Sequence, residues 1–264
     1  MKQAILVVSF GTTYPDTLRR TIEVSEADIA RAFPDWDVYR AFTSEVVIRR
    51  IFQRDGVEID TVAQAMARLI ASGYTRVVGQ STHVLRAGEY EKMLSQLEPY
   101  RTQVHLSVGA PLLYGDADYG AVADALLHWI PPIAEGEALV LMGHGSDQSE
   151  NGEYGRLEAI LRRKSDHVFT GTVEGGPGLE TVKCRLAEIP EIRRILLAPL
   201  MVVAGKHVCR EMCGTEDSWE EQLKLCGYDV RCDLRGMGEC PAIRDLFVEH
   251  CRQAIFETRQ EETR

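Results

Sequence analysis

The sequence predicts an α/β fold with two parallel β-sheets, each flanked by helices. Short apolar runs rich in β-branched residues alternate along the chain with longer stretches of helical periodicity. The same order of elements occurs twice, and Ile130-Pro131-Pro132 interrupts a helix between the two copies. Continuous apolar strands separated by helical crossovers are typical of parallel sheets that are buried on both faces.

The first half begins with a buried strand at residues 4–8, followed by a helix at 15–32 whose residues Leu18, Ile22 and Ile29 share one face. Its other predicted strands are 37–43, 76–79 and 103–108. Its other predicted helices are 45–53, 61–71, 89–97 and 116–129. This half therefore provides four strands with intervening helices.

The second half repeats this order, and Leu139-Val-Leu-Met-Gly-His-Gly145 matches Ile5-Leu-Val-Val-Ser-Phe-Gly11. Its predicted strands are 138–142, 168–173, 194–198 and 229–232, and its predicted helices are 152–164, 179–188, 219–226 and 241–257. We therefore predict an N-terminal α/β domain at residues 1–131 and a C-terminal α/β domain at 132–264. Packing of the closing helix back across the first domain is left open.

Composition excludes several classes of protein. The chain has 264 residues, with 30 Lys+Arg against 40 Asp+Glu and a formal net charge of −10, which argues against binding to duplex nucleic acid. No stretch reaches the roughly 18 to 20 apolar residues of a membrane span, and the apolar run before Ser9 is short for a signal peptide. We expect a cytoplasmic protein with no nucleic-acid or membrane partner. A homo-oligomer is left open.

Three residues of the second half follow predicted strands, where open parallel sheets bind their ligands. They are His144, Glu174 and His207. The C-terminal domain is predicted to carry them together at the carboxyl end of its sheet. Two imidazoles and one carboxylate suit a divalent transition metal and leave coordination positions open. A single histidine or glutamate in a loop is usually only solvated, and the spacing alone does not exclude this alternative.

The first half has polar residues at equivalent positions. Ser9-Phe10-Gly11-Thr12-Thr13 follows the first strand, where amides and hydroxyls at a helix start can hold an anion. An ordinary capped helix is the alternative. His83 follows the third strand and is either an acid, a base or a metal carrier near the site, or a packed loop histidine.

The remaining histidines and the cysteines are not predicted to bind metal. These histidines are His105, His128, His167 and His250. His207-x-Cys209-x₃-Cys213 resembles a fragment of a metal site, but no C-x-x-C pair completes it. Reduced, buried or half-buried thiols are the favoured interpretation, and the odd count of seven cysteines argues against a disulfide scaffold.

Motifs along almost the whole chain match one known family. They include Leu6-Val-Val-Ser-Phe-Gly-Thr12, Arg40-Ala-Phe-Thr-Ser44, Gly88-Glu-Tyr-Glu-Lys92, Met142-Gly-His-Gly145, Pro199-Leu-Met201, Asp217-Ser-Trp219 and Gly238-Glu-Cys-Pro-Ala-Ile-Arg244. The sequence resembles the anaerobic cobalt chelatases (sirohydrochlorin cobaltochelatases), which are class II chelatases related to ferrochelatase. The resemblance implies two similar flavodoxin- or Rossmann-like domains, each a four-stranded parallel sheet, with the active cleft between them.

The resemblance also implies an activity and its residues. The enzyme would insert a divalent metal into sirohydrochlorin or its reduced precursor, with no organic cofactor. Co²⁺ is the first candidate for this metal, and Fe²⁺ and Ni²⁺ are the alternatives. His144, Glu174 and His207 would be both the metal ligands and the catalytic residues, with His144 taking a pyrrole proton. The predicted substrate-binding residues are Ser9, Phe10, Gly11, Thr12, Thr13, Arg54, His83, Arg86, Glu89 and Lys206.

Some residues depart from the family pattern beside the predicted metal site. The family often has an acidic residue where this chain has Lys206, and an Asn-Asp pair where it has Arg210-Glu211. Arg54, Arg86 and Lys206 are predicted to offset the charge of an acidic substrate, with solvated surface charge as the alternative. Three other functions stay open: iron insertion for siroheme, a non-catalytic tetrapyrrole or metal carrier, and a metal-dependent hydrolase or oxygenase.

Overall fold

The computed structural model describes residues 2–146, 152–214 and 216–261, with side chains described up to residue 256. The chain divides into two compact units, Met1–Tyr114 with Pro241–Arg264, and Gly115–Cys240. This division differs from the predicted boundary after residue 131. Helix α6 (Asp116–Trp129) belongs to the second unit, because its Tyr119 hydroxyl donates a hydrogen bond to Glu153 of α7 (Gly152–Arg162).

The first unit contains a four-stranded parallel sheet in the order β2-β1-β3-β4. Its strands are β1 (Lys2–Ser9), β2 (Asp37–Phe42), β3 (Tyr74–Ser81) and β4 (His105–Gly109). Its helices are α1 (Pro15–Leu18), α2 (Val24–Ala32), α3 (Glu45–Asp55), α4 (Val62–Ala71), α5 (Gly88–Leu97) and α10 (Pro241–Glu261). The elements match the predicted order, and their ends differ by a few residues from the predicted ones.

The predicted helix at 15–32 is interrupted by a π-helical turn at Arg19–Glu23. Hydroxyl groups inside the helix compete for backbone carbonyls there: the Thr21 side chain donates to the carbonyl of Thr17, and the Ser25 side chain donates to that of Thr21. Such bonds weaken the regular ladder and accompany local changes of helix geometry. Helical periodicity in the sequence does not reveal this change.

The C-terminal helix α10 covers one face of the first sheet. Its Cys251 and Ile255 are buried in one apolar cluster with Ile5 and Val7 of the central strand β1. The Ser107 hydroxyl of β4 also donates a hydrogen bond of 2.8 Å to the carbonyl of Ala254. Residues from both ends of the chain therefore form the core of this unit.

The second unit repeats the architecture, with a parallel sheet in the order β6-β5-β7-β8. Its strands are β5 (Glu137–Gly145), β6 (Val168–Glu174), β7 (Arg194–Pro199) and β8 (Asp229–Cys232). Besides α6 and α7, it contains α8 (Leu179–Ala187) and α9 (Trp219–Leu225). A π-helical turn at Val208–Met212, which the sequence did not predict, follows His207.

The two sheets share one strand order and confirm the predicted fold class of two four-stranded parallel sheets flanked by helices. Across the described part of the chain, no helix combines the length and the apolar character that spanning a membrane requires.

Candidate functional site

The sheet of the second unit brings the three predicted metal ligands to one edge. His144 lies near the carboxyl end of β5, and Glu174 is the last residue of the neighbouring strand β6. His207 follows β7, the other neighbour of β5, and begins the π-helical turn. Because all these strands are parallel, the residues that follow them gather at the same end of the sheet.

Side-chain distances show how closely the three residues approach. The imidazole rings of His144 and His207 meet edge to face, with their centroids 4.4 Å apart. Nδ1 of His144 lies 4.0 Å from Oε2 of Glu174. The side chains of His144 and Glu174 are 43% and 51% exposed, so this edge is open to an incoming ligand.

The backbone at Gly145 connects two of these residues. Its carbonyl oxygen lies 3.0 Å from Nδ1 of His144, and a carbonyl can only accept, so Nδ1 is the donor; in the neutral ring the lone pair is then on Nε2. Gly145 has a φ of +79° and pairs with Glu174 across the sheet. A Cβ at this position would overlap the carbonyl oxygen of Glu174. Glycine is therefore required for this close approach.

A fourth residue, Glu211, lies beside the predicted ligands. Its Oε2 lies 2.7 Å from Nδ1 of His207, one helical turn earlier in the chain. Both atoms are buried, and neither makes a well-directed hydrogen bond within the described residues. Burial, and secondarily the neighbouring His144, lower the pKa of His207 and so favour the neutral imidazole that binds metals. The sequence pattern marked Glu211 only as a departure from the family.

The three predicted ligands do not form a closed cage. Among the described residues, a tighter group of potential ligands consists of Cys213, Glu220 and Cys232. Their ligand atoms all lie within 4.8 Å of one another. The edge formed by His144, Glu174 and His207 is wider than this. All three side chains are partly exposed.

The first unit places several predicted substrate-binding residues at the carboxyl end of its own sheet. Ser9 ends β1 and is buried, with its hydroxyl 2.8 Å from that of Thr82. Phe10 is 45% exposed. Nδ1 of His83 lies 2.9 Å from the Ser81 hydroxyl, and burial lowers the pKa of His83 to about 4. This histidine is therefore packed and neutral.

The turn that follows Phe10 is held by a basic side chain. Gly11 has a φ of +93°, and Thr12 is buried. The backbone carbonyl of Thr13 accepts a hydrogen bond from Arg54. Polar and backbone groups of the predicted segment 9–13 are thus in place, with Arg54 beside them.

The predicted basic groups already have acidic partners in two cases. Arg54 pairs with its neighbour Asp55, and Nε of Arg86 lies 2.7 Å from Glu91. These ion pairs are exposed, so they contribute little to stability. Lys206 is exposed in the second unit, beside His207. Glu89 lies in the first turn of α5 with its Oε2 buried and without a hydrogen-bond partner in the described structure.

The remaining predicted non-ligands lie on other elements. His105 is on β4, and His128 is exposed at the end of α6. His167 precedes β6, and His250 is buried on α10. These four positions stay outside the candidate site.

A comparison with known protein families gives a match over nearly the whole chain. The model of the cobalt chelatase (CbiK) family matches residues 3–256. The chain belongs to this family. A relative among these cobalt chelatases, the "Sirohydrochlorin cobaltochelatase" of Salmonella typhimurium, is 38% identical over 257 residues, which cover 97% of each chain.

A second cobalt chelatase extends the comparison. "Sirohydrochlorin cobaltochelatase CbiKC" of Nitratidesulfovibrio vulgaris is 31% identical over 261 residues, covering 96% of this chain and 91% of the relative. Among solved structures, "SirB from Bacillus subtilis with Fe3+" aligns with a TM-score of 0.66 over 96% of both chains. Its sequence identity to this chain is 17%, so the likeness supports only the fold.

Proposed function

We propose that this chain is a sirohydrochlorin cobaltochelatase, which inserts Co²⁺ into the macrocycle of sirohydrochlorin. The observation that carries the proposal is the match to the cobalt chelatase family over residues 3–256. Two relatives that align with this chain over at least 91% of their own length carry the name of this activity, which supports the proposal. Fe²⁺ and Ni²⁺ are further candidate metals, and the reduced precursor of sirohydrochlorin is a further candidate substrate.

The edge of the second sheet supports the proposed metal-binding role of His144, Glu174 and His207. In this proposal the incoming metal ion is a substrate, and Nε2 of His144 is one of its ligands, because Nδ1 donates to Gly145. The carboxylate of Glu174 adds negative charge beside the imidazoles. Two imidazoles and one carboxylate leave positions open for the nitrogens of a macrocycle.

Insertion also requires the removal of two pyrrole protons, and we propose that the same residues accept them. A neutral imidazole has a lone pair available near neutral pH, and the lowered pKa of His207 keeps that ring neutral. We assign His144 as the base, which accepts a proton on Nε2 as the metal ion leaves that atom for the macrocycle, and Glu174 as the group that balances the charge. Glu211, which contacts His207, orients that ring.

The test is an insertion assay with purified sirohydrochlorin, followed by absorbance under multiple turnover. We expect His144→Ala and His207→Ala to lower the rate by about 100-fold or more. His128→Ala is the matched control, because His128 is an exposed histidine of the same unit. Wild-type rates in both site variants would refute the assignment of the ligands.

The same assay separates the alternatives for metal and function. Parallel reactions with Co²⁺, Fe²⁺ and Ni²⁺ at equal concentration rank the metals by rate. A carrier would bind sirohydrochlorin in a one-to-one complex without turnover, whereas a chelatase releases the metallated product repeatedly. Product in excess of enzyme therefore supports the proposal, and product that stops at one equivalent contradicts it.

A further inference from the structure

The second unit contains a close pair of thiols away from the histidines of the candidate site. Sγ of Cys213 lies 2.7 Å from Sγ of Cys232, although the two residues are 19 positions apart in the sequence. Cys213 directly follows the π-helical turn at Val208–Met212, and Cys232 ends strand β8. Both side chains are half-buried and pack against the apolar core of the unit.

The distance between the sulfur atoms distinguishes two uses of such a pair. A disulfide joins its sulfur atoms at about 2.05 Å. Two thiolates that share a tetrahedral metal ion, each at about 2.3 Å from it, lie roughly 3.8 Å apart. The observed 2.7 Å is nearer to the first value, and a small rotation of either side chain closes the gap.

The acidic neighbour of the pair is already engaged. A carboxylate oxygen of Glu220 lies within 4.8 Å of both sulfur atoms. The same side chain pairs with Nζ of Lys224 at 2.7 Å, which offsets its charge. The contact with Cys232, followed by burial, raises the pKa of Cys213, which keeps this thiol protonated. These contacts favour a dithiol over a ligand set waiting for a cation.

We propose that Cys213 and Cys232 form a disulfide when the protein meets a small-molecule disulfide as oxidant. The Cys232 thiol loses its proton to solvent, and the resulting thiolate attacks one sulfur of the oxidant, whose S–S bond breaks and releases a small thiolate that takes up a proton. Cys213 then loses its proton and attacks the Cys232 sulfur, which releases the second small thiol. The protein loses two hydrogens, and the oxidant is reduced to two thiols.

The disulfide has a local mechanical consequence. It ties the end of the π-helical turn to the edge strand β8 and closes a loop that contains α9. Backbone amides of the turn then open less often, because one end of the turn is held covalently. The same turn carries Glu211, which contacts His207.

The test uses the full-length protein with oxidised glutathione, followed by alkylation, intact mass and peptide mapping. We expect the oxidised protein to take up two fewer alkyl groups than the reduced protein and to give a peptide that joins Cys213 to Cys232, with slower hydrogen exchange at 208–212. Cys213→Ser and Cys232→Ser abolish both effects, whereas Cys209→Ser retains them, because Cys209 is exposed and outside the pair.

Three results would overturn the proposal. The first is full alkylation of both thiols after exposure to the oxidant. The second is a disulfide that joins Cys209 or Cys226 instead. The third is a zinc or cobalt ion that the reduced protein retains in native mass spectra and that Cys213→Ser releases, since this would make the pair a metal site. None of these results depends on metal insertion, so failure here is distinct from failure of the chelatase assignment.

Discussion

Replacement of Gly145 by alanine tests whether the backbone at the end of β5 sets the position of the proposed ligands. Alanine at a φ of +79° costs about 1 to 2 kcal/mol, since L-residues disfavour this region. The added Cβ would also overlap the carbonyl oxygen of Glu174 and lie 2.7 Å from Cβ of Thr172. An ordinary carbon contact is about 3.5 to 4.0 Å, so one strand end must move by roughly 1 Å.

A displacement of this size affects stability and activity differently. We expect Gly145→Ala to lower the free energy of unfolding by about 2 to 3 kcal/mol, measured by denaturant titration. We expect the rate of Co²⁺ insertion into sirohydrochlorin to fall by about 100-fold, because a 1 Å misplacement of reacting groups has an effect of that order. The insertion assay should be run at a temperature where the variant is fully folded.

A second glycine of the same unit provides the control. Gly155 lies within α7, and a Cβ there would have no neighbour within 4 Å. Gly155→Ala should leave the insertion rate unchanged and raise stability by up to about 1 kcal/mol, as alanine is the better helix former. If Gly145→Ala inserts cobalt at the wild-type rate while remaining folded, the strand end does not position the ligands and the reasoning is wrong.

Three further predictions concern the stability of the units. Burial lowers the pKa of His83 to about 4 from 6.5, so the unfolded chain binds a proton on this imidazole more tightly than the folded chain does. The free energy of unfolding therefore falls by up to about 3 kcal/mol as the pH is lowered from 6.5 to 4. His83→Gln should remove this part of the decline, measured by denaturant titration. Glu137 is 3% exposed, and its carboxylate accepts hydrogen bonds of 2.6 and 2.8 Å from Nε and a terminal nitrogen of Arg231. Glu137→Gln should therefore lower the free energy of unfolding by about 1 to 3 kcal/mol in the same measurement, and an unchanged midpoint would contradict this prediction. On α10, Phe247→Ala should lower the free energy of unfolding by about 3 to 5 kcal/mol, because Phe247 is buried. Phe256 is 61% exposed, so Phe256→Ala should lower it by less than about 0.5 kcal/mol. Equal losses would show that the buried face of α10 does not hold the helix in place.

Strand ends could be predicted from the sequence because they follow from simple geometry. Apolar runs locate the strands, and parallel strands have their carboxyl ends at one edge, so His144 and Glu174 were expected together. The approach of His207 to His144 also agrees with this expectation. The roles of these residues as ligands stay a prediction, since position at an edge does not establish binding.

Other features depend on information that local patterns do not contain. The boundary was predicted at residue 131 because Pro131 and Pro132 interrupt the helix, but such a break does not show which unit covers α6. The π-helical turn at Val208–Met212 spans 5 residues, too few to set up a period in the sequence. The approach of Cys213 to Cys232 joins a turn to a distant strand, so a search for closely spaced cysteines misses it.

The return of α10 to the first sheet affects how the chain matures during synthesis. The ribosome releases residues 1–114 first, but Cys251 and Ile255, which shield Ile5 and Val7, emerge only after residues 115–240. Until then one face of the nascent sheet lacks its cover, while the intervening unit is already available to fold. Chaperone binding or aggregation of truncated chains should therefore concentrate on the N-terminal segment.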